Sequence, residues 1–231
     1  MIRIISYNLR HSRAGAELAD LVAAQPDLDA LCLQEVYRAG VPEQIGHLRL
    51  AHRTGRNLLD LAVYVDPGRF EVEEVGAFSL QRSLHDVVFD RTPERLVGAQ
   101  LRKRETGSRL VVASFHAAPL SARYSLRRKQ IKAAHELLAD LGDGVPVLMV
   151  GDYNYPLFQT RLGTRLGRTG YDMVLSDKRT YQAFKVVRGH FDFVTASGFE
   201  DVEVQTLRRG RSDHLPILVT ATLEDGTSAA A

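Results

Sequence analysis

Acid, amide and imidazole side chains accompany short apolar runs at widely separated places in this sequence. Apolar runs of about four to eight residues are typical of buried strands. A sheet can build a site from distant parts of the chain by gathering polar groups at its strand ends. The polar residues at, beside or within these runs are Asn8, Glu35, His116, Asp152, Asn154, Asp192, Asp213 and His214.

Oxygen-bearing residues in this set indicate a site for a hard metal ion. Mg²⁺ binds oxygen ligands and keeps several waters, so it needs few protein ligands. Glu35 and Asp213 are the strongest candidates, with Asn8, Asp152 and Asn154 nearby if the strand ends converge. No group of cysteines and histidines has the spacing of a zinc site. A carboxylate that only accepts a backbone hydrogen bond is the alternative for Glu35 alone.

His214 is the candidate base, because it follows an acid and precedes an apolar run. A carboxylate on the far ring nitrogen would hold the imidazole in one tautomer and make it more basic. Asp192, between Phe191 and Phe193, is an unusual residue for an apolar strand, and burying its charge requires a partner. His214 would be that partner; the alternative is that Asp192 points to solvent.

Water is favoured as the nucleophile. The sequence has no Gly-x-Ser-x-Gly motif and no Gly-x-x-x-x-Gly-Lys loop, and Cys32 lies inside an apolar run. His116 could donate to a phosphate oxygen or a leaving group, or could be structural. Asn8 and Asn154 could orient a water or complete a metal shell, or could be turn residues.

Composition sets the class of protein. The 231 residues are 45% hydrophobic and 25% charged, which is ordinary for a soluble globular protein. One cysteine excludes an internal disulfide and fits a reducing compartment. No stretch reaches the roughly 20 apolar residues of a membrane helix, and no leader precedes the strand pattern that begins at Ile2. We therefore expect a cytoplasmic protein with no integral membrane association, as a monomer.

Arginine dominates the basic residues, although the net charge is only +2. Arginine suits bidentate phosphate contacts; codon usage in a GC-rich genome is the alternative explanation. A short repeat, Thr160–Arg161–Leu162–Gly163 and then Thr164–Arg165–Leu166–Gly167, predicts a basic helical turn or loop. A solvated helix whose two leucines pack at i and i+4 is the plain alternative for this repeat.

The elements that must position these residues are mostly strands. Apolar periodicity predicts helices over 14–24 and 121–141. With no shift in composition, one α/β domain of two packed sheets over 1–223 is the economical arrangement, followed by a disordered tail at 224–231. The strands are predicted near 2–7, 29–34, 58–66, 69–76, 86–90, 96–103, 109–116, 146–151, 191–196, 201–207 and 215–223.

Six segments in order resemble the endonuclease/exonuclease/phosphatase superfamily, and the resemblance spans residues 2 to 223. They are Ser6–Tyr7–Asn8, Leu33–Gln34–Glu35, Ser114–Phe115–His116, Gly151–Asp152–Tyr153–Asn154, Phe191–Asp192–Phe193 and Ser212–Asp213–His214. The resemblance implies a four-layer α/β/β/α sandwich with two packed mixed sheets. It also implies a phosphoesterase that depends on Mg²⁺ or Mn²⁺.

The same resemblance implies roles for individual residues. Glu35 would be the main metal ligand, with Asn8 and Asp213 beside it. Asp152 and Asn154 would position the attacking water and the phosphate. His214 would be polarised by Asp192, as base or phosphate donor, and His116 would assist on the leaving-group side. These catalytic residues are His214, Asp192, His116, Asp152 and Asn154.

The stretch His116–Ala117–Ala118–Pro119 is similar to that of the pancreatic-type deoxyribonucleases. We therefore expect a nuclease, with Arg161, Arg165, Arg188 and Arg211 as phosphate-binding residues around the site. The first alternative is a phosphatase or phosphodiesterase acting on a phosphoinositide, a sphingomyelin-like lipid or another small phosphate ester. The second alternative is a binding module without catalysis.

Overall fold

A computed structural model of the chain describes residues 1–83, 93–183 and 187–224. Within these residues lie fifteen strands and three α-helices, numbered here in chain order. The helices are α1 (Leu18–Ala23), α2 (Tyr124–Gly142) and α3 (Gln159–Gly167). The strands are β1 (Ile2–Asn8), β2 (Ala30–Tyr37), β3 (Gln44–Ile45), β4 (Leu48–Arg53), β5 (Leu59–Val65), β6 (Phe70–Ser79), β7 (Glu94–Lys103), β8 (Arg109–His116), β9 (Val147–Asp152), β10 (Asp172–Leu175), β11 (Tyr181–Ala183), β12 (Val187–Gly189), β13 (Asp192–Ser197), β14 (Phe199–Thr206) and β15 (Ile217–Leu223).

The strands form two large mixed sheets and one small hairpin. The first sheet has the order β14–β15–β1–β2–β5–β4–β3, and the second has the order β10–β13–β9–β8–β7–β6. Each large sheet contains one parallel pair, β1 with β2 and β8 with β9, while its other pairs are antiparallel. Because parallel strands end at the same edge, each sheet brings two carboxyl ends together.

Alternation along the strands creates the layers. In β1, Ile4 packs between the two sheets, whereas Ile5 packs on the outer face, under α1. In β8, Val112 faces the other sheet, whereas Val111 packs against α2. Strands covered on both faces read as continuous apolar runs, which is why the central strands are so visible in the sequence. The expected four-layer α/β/β/α sandwich is confirmed.

The central strands and the long helix lie where the sequence predicts them, and the differences concern edges and ends. The 14–24 segment is a 3₁₀ turn at Gly15–Glu17 followed by the short α1. The basic repeat is helical and forms α3. The strand predicted at 86–90 and the tail beyond Glu224 lie outside the described residues. Sequence periodicity missed five short edge or hairpin strands: β3, β4, β10, β11 and β12.

A polar bridge joins the two sheets just below the edge where the parallel strands end. The Gln34 amide in β2 donates to Ser114 Oγ in β8 (2.9 Å), and Ser114 Oγ donates to the Leu33 carbonyl (3.0 Å). All three residues are buried. Buried polar groups that satisfy one another fix a single arrangement, so this bridge aligns the sheet carrying Glu35 with the sheet carrying His116. No helix among the described residues is long and apolar enough to cross a membrane.

Candidate active site

Asn8 links the two sheets at the centre of the site. Its Nδ2 donates to Glu35 Oε1 (3.2 Å), in the same sheet, and to Asp152 Oδ2 (3.1 Å), in the other sheet. Its Oδ1 accepts a hydrogen bond from the Arg10 backbone (3.0 Å). One fully buried amide therefore holds a carboxylate near the end of β2 close to the carboxylate that ends β9.

Glu35 is aimed at the site by an irregularity in β2. The pairing of β2 with β5 shifts between Leu33 and Val36, and Glu35 has a φ of +56°. A bulge of this kind re-aims a side chain at the end of a strand. Glu35 Oε2 then accepts from the His11 backbone N–H (3.2 Å) and lies 3.2 Å from His11 Nδ1. The sequence reasoning missed His11, which follows β1 with no distinctive pattern around it.

His214 and Asp192 form a buried pair. His214 Nδ1 lies 2.7 Å from Asp192 Oδ2, and both side chains are almost completely buried. Burial lowers the pKa of His214, but the negative charges of Asp192, Asp152 and Asp213 raise it by more, so the net shift is upward. The Thr180 hydroxyl fixes the start of β13 by accepting from the Asp192 backbone N–H (3.0 Å). The sequence therefore predicted the partner of His214 correctly.

Asp152 faces both histidines of the site. Its Oδ2 lies 3.7 Å from His214 Nε2 and 3.6 Å from His116 Nε2, while its Oδ1 accepts from the Asn154 backbone N–H (2.9 Å). Burial raises the pKa of Asp152, and the neighbouring Asp192 and Glu35 act in the same direction. Asn154 has a φ of +48°, lines the same cleft and directs its amide to the Ala117 carbonyl (3.4 Å).

His116 sits in a setting that disfavours its charged form. Burial lowers the pKa of His116 well below its usual value, and the positive charge of Arg95 adds to this effect. Arg95 itself donates to the carbonyls of His116 and Ala117, both at 3.0 Å. His116 Nε2 also lies 3.9 Å from Glu35 Oε1. The ring is therefore a neutral hydrogen-bonding group beside two carboxylates.

Asp213 lies at the mouth of the site, half-buried, with Arg10 Nε 3.4 Å from its Oδ2. The preceding Ser212 holds this segment in place. Its hydroxyl donates to the Asn8 carbonyl (2.8 Å) and accepts from the His214 backbone N–H (3.1 Å). This anchor places Asp213 and His214 next to Asn8, although Asn8 is far from both in the chain.

One cleft of about 440 Å³ is lined by Glu35, His116, Asp152, Asn154, Asp213 and His214. Asn8 and Asp192 are buried beside it. The arginines that line it are Arg10, Arg13 and Arg95, none of which the sequence reasoning selected. Tyr181 also lines the cleft, with its ring 4.7 Å from that of His214.

The four arginines selected from the sequence lie elsewhere. Arg161 and Arg165, on α3, line cavities between α2 and α3. Arg188, in β12, and Arg211 are exposed, and the Arg211 backbone N–H donates to Glu17 Oε2 (3.2 Å).

The donor set fits a hard divalent cation. Carboxylate oxygens of Glu35 and Asp152 meet at the cleft, held together by the Asn8 amide, and oxygen donors are what Mg²⁺ and Mn²⁺ prefer. Asp152, Asp192 and His214 also bring ligand atoms within 4.8 Å of one another. In this second group, His214 and Asp192 are already hydrogen-bonded to each other, and Glu35 is more exposed to the cleft than Asp192. The side of the cleft that carries Glu35 is therefore the better metal site.

Fold and site together define a class of protein: an α/β/β/α phosphoesterase with a histidine–aspartate pair facing carboxylates at one edge of two sheets. The chain belongs to the Endonuclease/Exonuclease/phosphatase family, whose model matches residues 5–214. It is thus a hydrolase of phosphate esters from a metal-dependent family. No curated protein sequence matches the chain.

Solved structures with the same fold have different activities. The mannosyl-6-phosphatase of Bacteroides thetaiotaomicron is 16% identical, with a TM-score of 0.73 over 96% of this chain and 100% of that chain. TDP2 of D. rerio, complexed with a single-strand DNA product, is 16% identical, with a TM-score of 0.75 over 96% and 98%. The human Nocturnin catalytic domain is 15% identical, with a TM-score of 0.73 over 96% and 93%. At these identities the likeness establishes the fold alone.

Proposed function

We propose that this protein is a Mg²⁺- or Mn²⁺-dependent nuclease that cleaves phosphodiester bonds by in-line attack of water. The observation that carries the proposal is the cleft itself. It combines the His214–Asp192 pair with the carboxylates of Glu35 and Asp152, and Arg10 and other arginines surround them. Cationic side chains around such a site fit a substrate with several phosphates.

Glu35 would be the main metal ligand, with Asn8 and Asp213 beside it. When bound, the metal supplies positive charge that stabilises the developing charge on the phosphate and the leaving oxygen. This assignment is supported by the exposure of Glu35 to the cleft and by the amide of Asn8 next to it.

The remaining residues bind, orient and move protons. Asp152, with its raised pKa, is suited to accept a proton from the attacking water, and Asn154 orients that water. The raised pKa of His214 favours the imidazolium, in which Nδ1–H donates to Asp192 and Nε2 also carries a proton, so Nε2 donates to a phosphoryl oxygen. The neutral His116 ring donates a hydrogen bond toward the leaving group.

A small phosphate ester is the second candidate substrate. A cleft of about 440 Å³ lies within the range of small-molecule sites. A phosphatase is also among the proteins that share the fold. The two candidates differ in their need for cationic groups outside the cleft, since only a polymer extends beyond it.

Nicking of a supercoiled plasmid in Mg²⁺ or Mn²⁺ tests the proposal, with EDTA and His214→Ala as controls. We expect nicking that both controls abolish, because a general acid or base contributes about 10²–10⁴-fold. A folded wild type that binds metal but does not nick DNA or cleave RNA would refute the nuclease. Parallel assays on phosphoinositide, sphingomyelin and sugar phosphate substrates would then identify the small-ester activity.

A further inference from the structure

A groove flanked by basic side chains, with a mainly apolar lining in its larger part, lies between α2 and α3, outside the catalytic cleft. It consists of two adjoining cavities of about 580 and 230 Å³ that share Arg128, Leu162 and Arg165 as walls. We call it the helix groove and define it by Arg128, Lys132, Tyr155, Phe158, Arg161 and Arg165. The catalytic scheme above uses none of these residues.

Charge is unbalanced in the helix groove. Its walls carry five cationic side chains, two on α3 and three on α2, against one carboxylate, Glu136, which pairs with Lys132. The leucines of the repeat explain the arrangement, since Leu162 and Leu166 are buried. With these two leucines packed inward at i and i+4, Arg161 and Arg165 occupy a neighbouring stripe of the helix that faces α2.

Aromatic rings line the smaller cavity of the helix groove. Phe158 is 56% exposed, although a phenylalanine normally packs inside. Tyr124 presents its edge to Phe158 and to Tyr155, with ring centroids 5.5 and 4.8 Å apart. The Arg161 guanidinium lies 5.9 Å from the Phe158 ring. An exposed ring among arginines is the pattern of sites where bases stack and phosphates pair with cations.

Two segments of the chain lead from the catalytic cleft to the helix groove. β9 ends at Asp152, Asn154 lines the cleft, and Tyr155 and Phe158 already line the helix groove. The four peptide steps from Asn154 to Phe158 span at most about 14 Å, which is the length of about four stacked nucleotides. The other segment leads from β8 past Leu120, in the cleft, to α2.

We propose that the helix groove binds a single nucleic-acid strand that continues out of the catalytic cleft. This inference rests on the proposed nuclease function. Arg161, Arg165 and Arg128 contact successive phosphates, and Phe158 stacks on a base. A small anion would need neither the exposed ring nor a groove that follows the cleft so closely along the chain, so the occupant that fits all the observations is a polymer.

Binding of labelled single-stranded DNA, measured by fluorescence anisotropy in EDTA at several salt concentrations, tests this proposal. Oligonucleotides of roughly 4 and 16 nucleotides distinguish the cleft from the cleft plus the groove. Arg161→Ala/Arg165→Ala should weaken binding of the longer strand by about tenfold or more at low salt. It should also reduce the slope of log K against log salt by about 1.4, or 0.7 per lost phosphate contact.

Two further variants make the test specific. Phe158→Ala should weaken binding of the longer strand without changing the salt slope, because stacking releases no counterions. The matched control, Arg104→Ala/Arg168→Ala, removes the same charge from residues that line neither the cleft nor the groove and should leave the slope unchanged. All four arginines are exposed, so these variants should fold.

Equal weakening by the groove variant and the control variant would overturn the helix groove as a binding site. If the protein nicks plasmid but the groove variants bind the longer strand as tightly as the wild type, the helix groove is also overturned as a binding site. The proposed nuclease function would not be affected by that result. A wild type that neither binds nor cuts nucleic acid would overturn both proposals.

Discussion

The His214–Asp192 pair makes the sharpest test of the proposed chemistry, because its two members should act as one unit. His214 Nδ1 lies 2.7 Å from Asp192 Oδ2, and the residue opposite Nε2 is Asp152, 3.7 Å away. Asp192→Asn keeps the side-chain shape but removes the charge that favours the proton on the ring. His214→Ala removes the ring.

The magnitude follows from the ordinary contribution of a general acid or base. Turnover should fall about 10²–10⁴-fold in each single variant. If each loses about 10³, independent residues would lose about 10⁶ together, or about 8 kcal/mol. A pair that acts as a unit should lose only about 10³ in the double variant, as with other coupled catalytic residues. The coupling free energy is then about 4 kcal/mol.

Single-turnover plasmid nicking at saturating metal measures these losses. Urea melts identify variants that unfold cooperatively, and only those variants enter the comparison. Asp201→Asn, an exposed carboxylate on β14, is the control that changes the same charge without touching the site. Additive losses in the double variant would refute the dyad, and so would full activity in Asp192→Asn.

Three further outcomes are expected in urea unfolding. Gly151→Ala should lower the free energy of unfolding by about 3 kcal/mol or more, because φ is +148° and a Cβ would lie 1.9 Å from the Phe115 carbonyl oxygen. The control Gly167→Ala should not, because a Cβ there meets open space. Burial lowers the pKa of His135 to about 3, so only the unfolded state gains its proton below pH 6.5. The contribution of His135 should therefore lower the free energy of unfolding by about 1.4 kcal/mol per pH unit as the pH falls from 6.5 toward 3, and His135→Gln should remove that contribution. Mn²⁺ at 100 times its Kd should stabilise the wild type by about 2.7 kcal/mol and Glu35→Gln hardly at all.

The parts of the site that follow strands could be predicted, because strand ends are visible in the sequence. Asn8, Glu35 and Asp152 each end an apolar run, and parallel strands bring such ends to one edge. The partner of His214 could be predicted because Asp192 interrupts an apolar strand and a buried charge requires a counterpart. Peripheral strands lack this signal: β4 lies next to the edge of its sheet, β10 lies at an edge, and most residues of both are only partly buried.

The arginines could not be assigned from sequence, because their positions depend on how elements pack. Arg95 reaches the cleft through β7, where Leu96 pairs with Phe115, so its guanidinium meets the carbonyls after β8. Arg161 and Arg165 follow Asp152 in sequence, yet the buried Leu162 turns them toward α2. Proximity along the chain was a poor guide to proximity in space here.

Sheet register is what finally brings the chemistry together. In the second sheet, His116 pairs with Asp152 across β8 and β9, and Asp152 pairs with Asp192 across β9 and β13. Three reactive groups therefore stand on one line across the sheet. A slip of one residue would turn Asp192 to the opposite face. The apolar residues between the sheets, such as Val150 and Val194, oppose that slip because it would expose them. The core thus sets the geometry of the site as well as the stability of the fold.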